Sequence, residues 1–176
     1  GYVFYNFPRT VGIRGGIVIY VKENLIVNVC DLKIVYNTFE FALLDLSILN
    51  SIYKIKLLSI YRPPSSSTDD FLVELENLFH IMPTNNPLQY LVICGDFNIN
   101  LFENNHLTNN YMNLLLSLNA YPTIFQPTHD IYGAATLLDH IFTNFPNVIY
   151  SGVITEQLSD HVPAFAVYKL PPVDQN

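Results

Sequence analysis

Cysteine is scarce in this 176-residue chain. Two residues, Cys30 and Cys94, are too few for a disulfide framework. The count fits a reducing, intracellular setting, and Cys94, at the end of an apolar run, reads as a buried, inert thiol. Basic residues are also few: eight Lys and Arg stand against fifteen Asp and Glu, for a net charge of −7. A surface that grips phosphate backbones is usually basic, so this balance counts against tight nucleic-acid binding. It does not exclude a nuclease, because acids that serve as metal ligands change the local field once a cation is bound. No apolar run reaches the length of a membrane span and no signal peptide is present, so no membrane partner is expected. Cys/His zinc spacings, a Walker loop and a Gly-x-Ser-x-Gly elbow are all missing, which removes several enzyme classes. The chain opens Gly1-Tyr2-Val3-Phe4 without an initiator methionine and reads as part of something longer.

What is present points to one packed domain over residues 1–176. Half of the residues are hydrophobic and 13% are charged, which argues against disorder. Twelve Phe, twelve Tyr and many Ile and Val favour strands over helices. Strands are predicted at Gly15 to Lys22, Phe39 to Leu49 and Tyr53 to Arg62, the last two forming an antiparallel hairpin. Pro63-Pro64 stops the second of these. Thr68 offers a cap, and Asp69 and Asp70 first-turn acids, for a helix carrying Phe71, Leu72, Leu75, Leu78 and Phe79 that ends near Pro83. Leu88 to Cys94, wholly apolar, reads as a central strand buried on both faces. An Asn-rich loop from Asn98 to Asn110 precedes a second helix with Met112, Leu115, Leu116 and Leu118. Short strands follow at Ile124-Phe125, Leu137 to Phe142, Val148 to Ile154 and Val162 to Tyr168. Without regular strand–helix alternation, the expected α/β fold is layered: two β-sheets packed face to face, with helices outside.

Several polar residues stand where chemistry is done. Asp96 and Asn98, in Gly95-Asp96-Phe97-Asn98, directly follow the buried strand. One residue apart on extended backbone they would point to the same side, a carboxylate for metal or water beside an amide that donates to phosphate. A strand-ending Asx turn is an equal alternative. Asp139 lies inside the apolar run Leu137 to Phe142 and must be satisfied by a partner. His161 would be oriented by it, whereas His140, its neighbour on the strand, faces the other way. Asp160-His161 at the start of a strand offers a metal ligand and a general acid or base, although a polar turn is the commoner meaning of such a pair. Tyr61 and Arg62 could bind phosphate oxygens; aromatic packing beside a solvated charge is the plainer reading of those two alone.

In order along the chain, Arg14-Gly15-Gly16-Ile17-Val18-Ile19-Tyr20-Val21, Ile60-Tyr61-Arg62-Pro63-Pro64, Gly95-Asp96-Phe97-Asn98-Ile99-Asn100, Leu138-Asp139-His140-Ile141-Phe142-Thr143-Asn144 and Leu158-Ser159-Asp160-His161 resemble the endonuclease/exonuclease/phosphatase family. The Tyr-Arg-Pro-Pro and Phe-Thr-Asn variants look like the endonuclease domain of LINE-type (non-LTR) retrotransposons. The resemblance implies a four-layer α-β-β-α sandwich with mixed sheets, DNA as substrate, a reverse transcriptase in the same polypeptide and a nuclear setting. It also implies magnesium, with manganese able to replace it, held in part by Asp160. By the same resemblance Asp96 positions or deprotonates water, Asn98 and Tyr61 contact the scissile phosphate, and His161, oriented by Asp139, stabilises or protonates the phosphoryl centre. One departure matters. The family's early Asn and metal-binding Glu have no counterpart in Gly1 to Arg14, and Glu23 and Glu40 stand in a different context. The domain is therefore expected to be N-terminally truncated. A phosphatase of the same fold acting on phosphorylated lipid or sugar, and an inactive remnant kept as a binding module, are the alternatives.

Overall fold

Alternating side chains and two amphipathic segments build a sheet with one helical face. The computed structural model describes residues 1–9, 15–49, 51–83, 89–131, 133–156 and 159–170. Arg14, Leu88 and Leu158, each at the start of a segment marked out by the sequence, lie outside the described residues. In chain order the elements are β1 (Tyr2–Phe7), β2 (Ile17–Lys22), β3 (Leu25–Val29), β4 (Glu40–Ile48), β5 (Lys54–Tyr61), α1 (Thr68–Ile81) and β6 (Gln89–Asp96). There follow α2 (His106–Ser117), β7 (Tyr121–Pro122), β8 (His129–Ile131), β9 (Ala134–Thr136), β10 (Asp139–Thr143), β11 (Val148–Val153) and β12 (Ala164–Tyr168).

Six strands form the main sheet in the order β3-β4-β5-β6-β10-β7. It is mixed: β5 and β6 are parallel, joined through α1, and the other pairs are antiparallel. Period two sorts the side chains. Phe41, Leu43, Leu58, Ile60, Ile93 and Phe142 fall on the face that receives Phe71, Leu75 and Leu78 of α1 and Tyr111 and Leu115 of α2. Burying each such side chain is worth roughly 1.5–3 kcal/mol, so this layer anchors the domain. The opposite face carries two ribbons, β1–β2 and β11–β12. Ile17 and Val21 are buried where β2 packs on β4 and β5, and β12 packs on β10. The architecture is a mixed α/β sandwich with its second sheet formed, among the described residues, by two separate ribbons. Cys94 is partly accessible as a residue, yet burial pushes its thiol up to about 11, so it is protonated at neutral pH.

Local differences from the sequence reading have physical causes. The cap of α1 is Ser67, which accepts from the Asp70 N–H at 3.3 Å; Thr68 is already helical. Helix α2 starts at His106, inside the predicted loop, because Asn105 accepts from the Thr108 N–H at 2.9 Å and caps it. Ile124-Phe125 is not a strand; β10 is paired instead by Tyr121–Pro122, and Phe125 is 67% exposed. Strands β1 and β3 were not predicted, since neither shows clean alternation of apolar and polar residues.

Candidate active site

Strand register assembles a row of polar residues at one end of the main sheet. Glu40 of β4 lies opposite Tyr61 of β5, Tyr61 beside Asp96 of β6, and Asp96 opposite Asp139 of β10. All four share the face away from the helices. Each stands at the first or last residue of its strand, where a rigid ladder ends and a loop begins.

The turn after β6 is built around Gly95. Its φ is +143°, and an added Cβ would lie 1.8 Å from the Ile60 carbonyl oxygen. Only glycine fits there. Two residues on, Asn98 adopts φ +49°, so the backbone is not extended and strand alternation does not bring Asp96 and Asn98 together. An Asx turn does. Asp96 Oδ1 accepts from the Asn98 N–H at 3.0 Å, and Asp96 Oδ2 accepts from Asn98 Nδ2 at 3.1 Å. The second amide hydrogen of Asn98 goes to the Arg62 carbonyl at 2.8 Å. With both amide hydrogens engaged, Asn98 holds Asp96 in place, and donating to phosphate would require it to release one of these bonds.

Arg62 is not a solvated charge, and its donors are turned to backbone carbonyls. It is 1% exposed. Its Nη1 donates to the Phe97 and Asn98 carbonyls at 3.2 Å each, and its Nη2 to the Ser66 carbonyl at 2.7 Å. The guanidinium lies 5.3 Å from the centre of the Phe71 ring. Arg62 thus clamps the Asp96 turn from beneath, and phosphate would have to displace these bonds to reach it.

Below the turn, Phe97 is fully buried and stacks on His140 with centroids 5.0 Å apart. The Nε2 of His140 meets the Leu137 carbonyl at 3.0 Å, so it carries the proton and Nδ1 accepts from the Tyr111 hydroxyl at 3.0 Å. Burial lowers the His140 imidazole to about 4, which keeps it neutral.

Above the turn, Asp139 Oδ2 lies 2.7 Å from Nδ1 of His161. Thr128 Oγ1 accepts from the Leu138 and Asp139 N–H groups, and the Thr128 carbonyl accepts from the Val162 N–H, tying both sides of this pair to one residue. Burial opposes a charged His161, but the hydrogen bond and charge of Asp139, with Asp96 and Asp160 behind it, outweigh this and raise its pKa. Asp96 is also raised, first by burial and then by the Asp139 charge, against the bonds from Asn98 and the charge of His161. Ligand atoms of Asp96, Asp139 and His161 all lie within 4.8 Å of one another. Two carboxylates crowded at a half-buried site gain from a neutralising cation, and this oxygen-rich set fits a hard divalent ion. Asp160, expected to share that ion, groups instead with His129 and His161, its side chain 59% exposed.

Glu40 and His129 were not singled out for the site. Glu40 stands in the row, which only the strand register reveals. Its carboxylate is turned to the β1–β2 side, accepting from the Gly16 N–H and pairing with Arg9 Nε at 3.1 Å. His129 sits in no motif and arrives by a bridge between distant segments, His129 to His161.

A family model described as the endonuclease/exonuclease/phosphatase family matches residues 1–161. The chain belongs to that family. No curated protein matches it. Among solved structures, the endonuclease domain of TRAS1, a telomere-specific non-LTR retrotransposon, superposes with a TM-score of 0.75 at 16% identity, covering 97% of this chain and 81% of that one. TDP2 from D. rerio, complexed with a single-strand DNA product, gives 0.62 at 14% identity, covering 92% and 74%. A mannosyl-6-phosphatase from Bacteroides thetaiotaomicron gives 0.63 at 13% identity, covering 96% and 78%. At these identities the likeness carries the fold. The endonuclease/exonuclease/phosphatase match extends into β1, where the sequence showed no motif.

Proposed function

We propose that this endonuclease/exonuclease/phosphatase domain hydrolyses phosphodiesters with a divalent metal and nicks DNA. The observation that carries the reading is the Asp139–His161 pair, 2.7 Å long, facing Asp96 across adjacent strands. His161, held charged by Asp139, donates to the phosphoryl oxygen and stabilises the charge that grows there. Asp139 fixes the imidazole by accepting from Nδ1, which leaves Nε2 turned to substrate. Asp96, with its pKa raised, orients the attacking water and takes its proton, while Asn98 keeps the carboxylate from swinging away. Tyr61, the neighbour of Asp96 in the row, places its phenol against the same phosphate. Magnesium, or manganese in its place, would be held by Asp96 and Asp139 and would neutralise charge on the phosphate and leaving oxygens.

DNA is favoured over other phosphate esters by the Tyr61-Arg62-Pro63-Pro64 and Phe142-Thr143-Asn144 variants and by the likeness to a retrotransposon endonuclease domain. On this reading a reverse transcriptase shares the full polypeptide, which works in the nucleus. A phosphatase acting on a phosphorylated sugar is the second reading, supported by the net charge of −7 and by the likeness to a mannosyl-6-phosphatase. Nicking of supercoiled plasmid with magnesium tests the first. Asp96→Ala and His161→Ala should each slow it by roughly 10²–10⁴-fold, the range for lost acid–base groups. Equal rates in parent and variants would sink the site. Phosphate release from a phosphosugar with no nicking would move the domain to the second reading.

A further inference from the structure

We propose that His129, Asp160 and His161 form a second metal site, one for a borderline transition ion such as Zn2+ rather than for magnesium. The backbone brings the residues together before any ion binds. His129 and His161 form an antiparallel bridge, flanked by the Val162 N–H to Thr128 carbonyl bond at 2.8 Å and the Asp130 N–H to Asp160 carbonyl bond at 3.4 Å. The two imidazoles stand 4.7 Å apart between centroids, tilted by 58°.

Proton placement on both rings follows from their partners. The hydroxyl of Thr136 donates to the His129 carbonyl at 3.3 Å. Its lone pair is therefore what Nδ1 of His129 meets at 3.1 Å, and Nδ1 carries the hydrogen. Asp139 imposes the same tautomer on His161. Each Nε2 offers a lone pair when its ring is neutral, backed by an oxygen acceptor behind Nδ1, so on His161 the ion takes the place of the Nε2 proton. That is the outer-shell arrangement that orients metal-binding imidazoles.

The third ligand is the Asp160 carboxylate, 3.8 Å from Nε2 of His129, too long for a hydrogen bond. Donor atoms of the three residues lie within 4.8 Å of one another. A tetrahedral zinc site needs ligand atoms about 3.3 Å apart, and the exposed Asp160 side chain can close that distance by rotamer change. Two nitrogens and one carboxylate match three-ligand zinc sites, and two of the three ligands, His129 and Asp160, line a cleft of about 550 Å³. Imidazole-rich sets select zinc, cobalt or nickel over magnesium. No zinc-like spacing appears in the sequence because the ligands come from two segments joined only by the fold. One consequence rests on the proposed function: an ion on Nε2 of His161 removes the nitrogen that the hydrolysis uses, so zinc would inhibit nicking supported by magnesium.

The test is titration of the whole chain, free of other metals, with Zn2+ by calorimetry and with Co2+ by visible absorbance. One ion per chain and the intense bands of tetrahedral cobalt are expected. His129→Gln and Asp160→Asn should each weaken zinc binding at least about tenfold, with circular dichroism matching the parent, whereas Asp96→Asn, which removes a neighbouring charge and no ligand, should weaken it less than either. No binding, or binding lost in Asp96→Asn and kept in His129→Gln, would overturn the site. Zinc binding that depends on His129 in a protein that never nicks would leave the site standing and sink the nuclease reading. Nicking that zinc inhibits equally in parent and His129→Gln would do the reverse.

Discussion

Acid should loosen this domain through one buried imidazole, and the size of the effect can be worked out. His140 sits among Phe97, Tyr111 and Phe142, donates from Nε2 to the Leu137 carbonyl, and is lowered from 6.5 to about 4 by burial. The unfolded chain therefore takes up this proton at a higher pH than the folded one does. Stability from keeping His140 neutral is complete above the unfolded value and is lost as pH falls toward the folded one. Over the whole window the loss is about 3 kcal/mol, and between about pH 7 and about pH 5 it is about 2 kcal/mol. With a urea slope of about 2 kcal/mol per molar, the midpoint should fall by about 1 M over that interval. His161 works in the opposite sense, because its raised pKa favours the folded state on acidification. A comparison with His140→Gln separates the two. Glutamine can still donate toward the Leu137 carbonyl but does not titrate. It should lower stability at neutral pH yet shrink the loss between the two pH values by about 2 kcal/mol. Urea unfolding followed by circular dichroism at both pH values reads this directly. Identical losses in parent and variant, or an imidazole that titrates near 6.5 by NMR, would refute it. The effect should reach the active site, because His140 supports Phe97 between Asp96 and Asn98.

Two further substitutions probe the turn that carries Asp96. Gly95→Ala places a Cβ against backbone 1.8 Å away at a φ of +143°, and should cost about 3 kcal/mol or more, or yield no folded protein; a thermal midpoint equal to the parent's would contradict the geometry. Arg62→Lys keeps the charge but cannot serve the Phe97, Asn98 and Ser66 carbonyls together, so it should destabilise by about 2–3 kcal/mol in urea. If Arg62→Lys instead left stability unchanged and raised only the KM for DNA, Arg62 would be a phosphate ligand after all.

Much of the fold could be read from the sequence because its determinants are local. The apolar run ending at Cys94, the helical spacing from Phe71 to Phe79 and the proline stop after Arg62 each report on a few consecutive residues, and each element is found within two residues of its predicted place. The site was less legible because it depends on register between strands far apart in sequence. Tyr61 and Asp96 become neighbours only through a parallel pairing that needs α1 as its crossover, and Asp96 meets Asp139 only because β10 adds to the other side of β6. Residue type misled where a polar group does structural work. Arg62 looked like an exposed cation, yet the Phe97 and Asn98 carbonyls of the Asp96 turn and the Ser66 carbonyl before α1 had to be satisfied, and a buried five-donor fork is the group that can reach all three at once. Asn98 shows the same inversion. Its left-handed backbone makes its side chain a brace for Asp96, a contact that strand alternation does not foretell. His129 had no local signal, because its neighbours in space are set by a bridge to His161 and by the hydroxyl of Thr136. The two imidazoles therefore tie two functions to one piece of backbone: a change that shifts the His129–His161 bridge should alter both the orientation of His161 toward substrate and the spacing of the proposed zinc ligands.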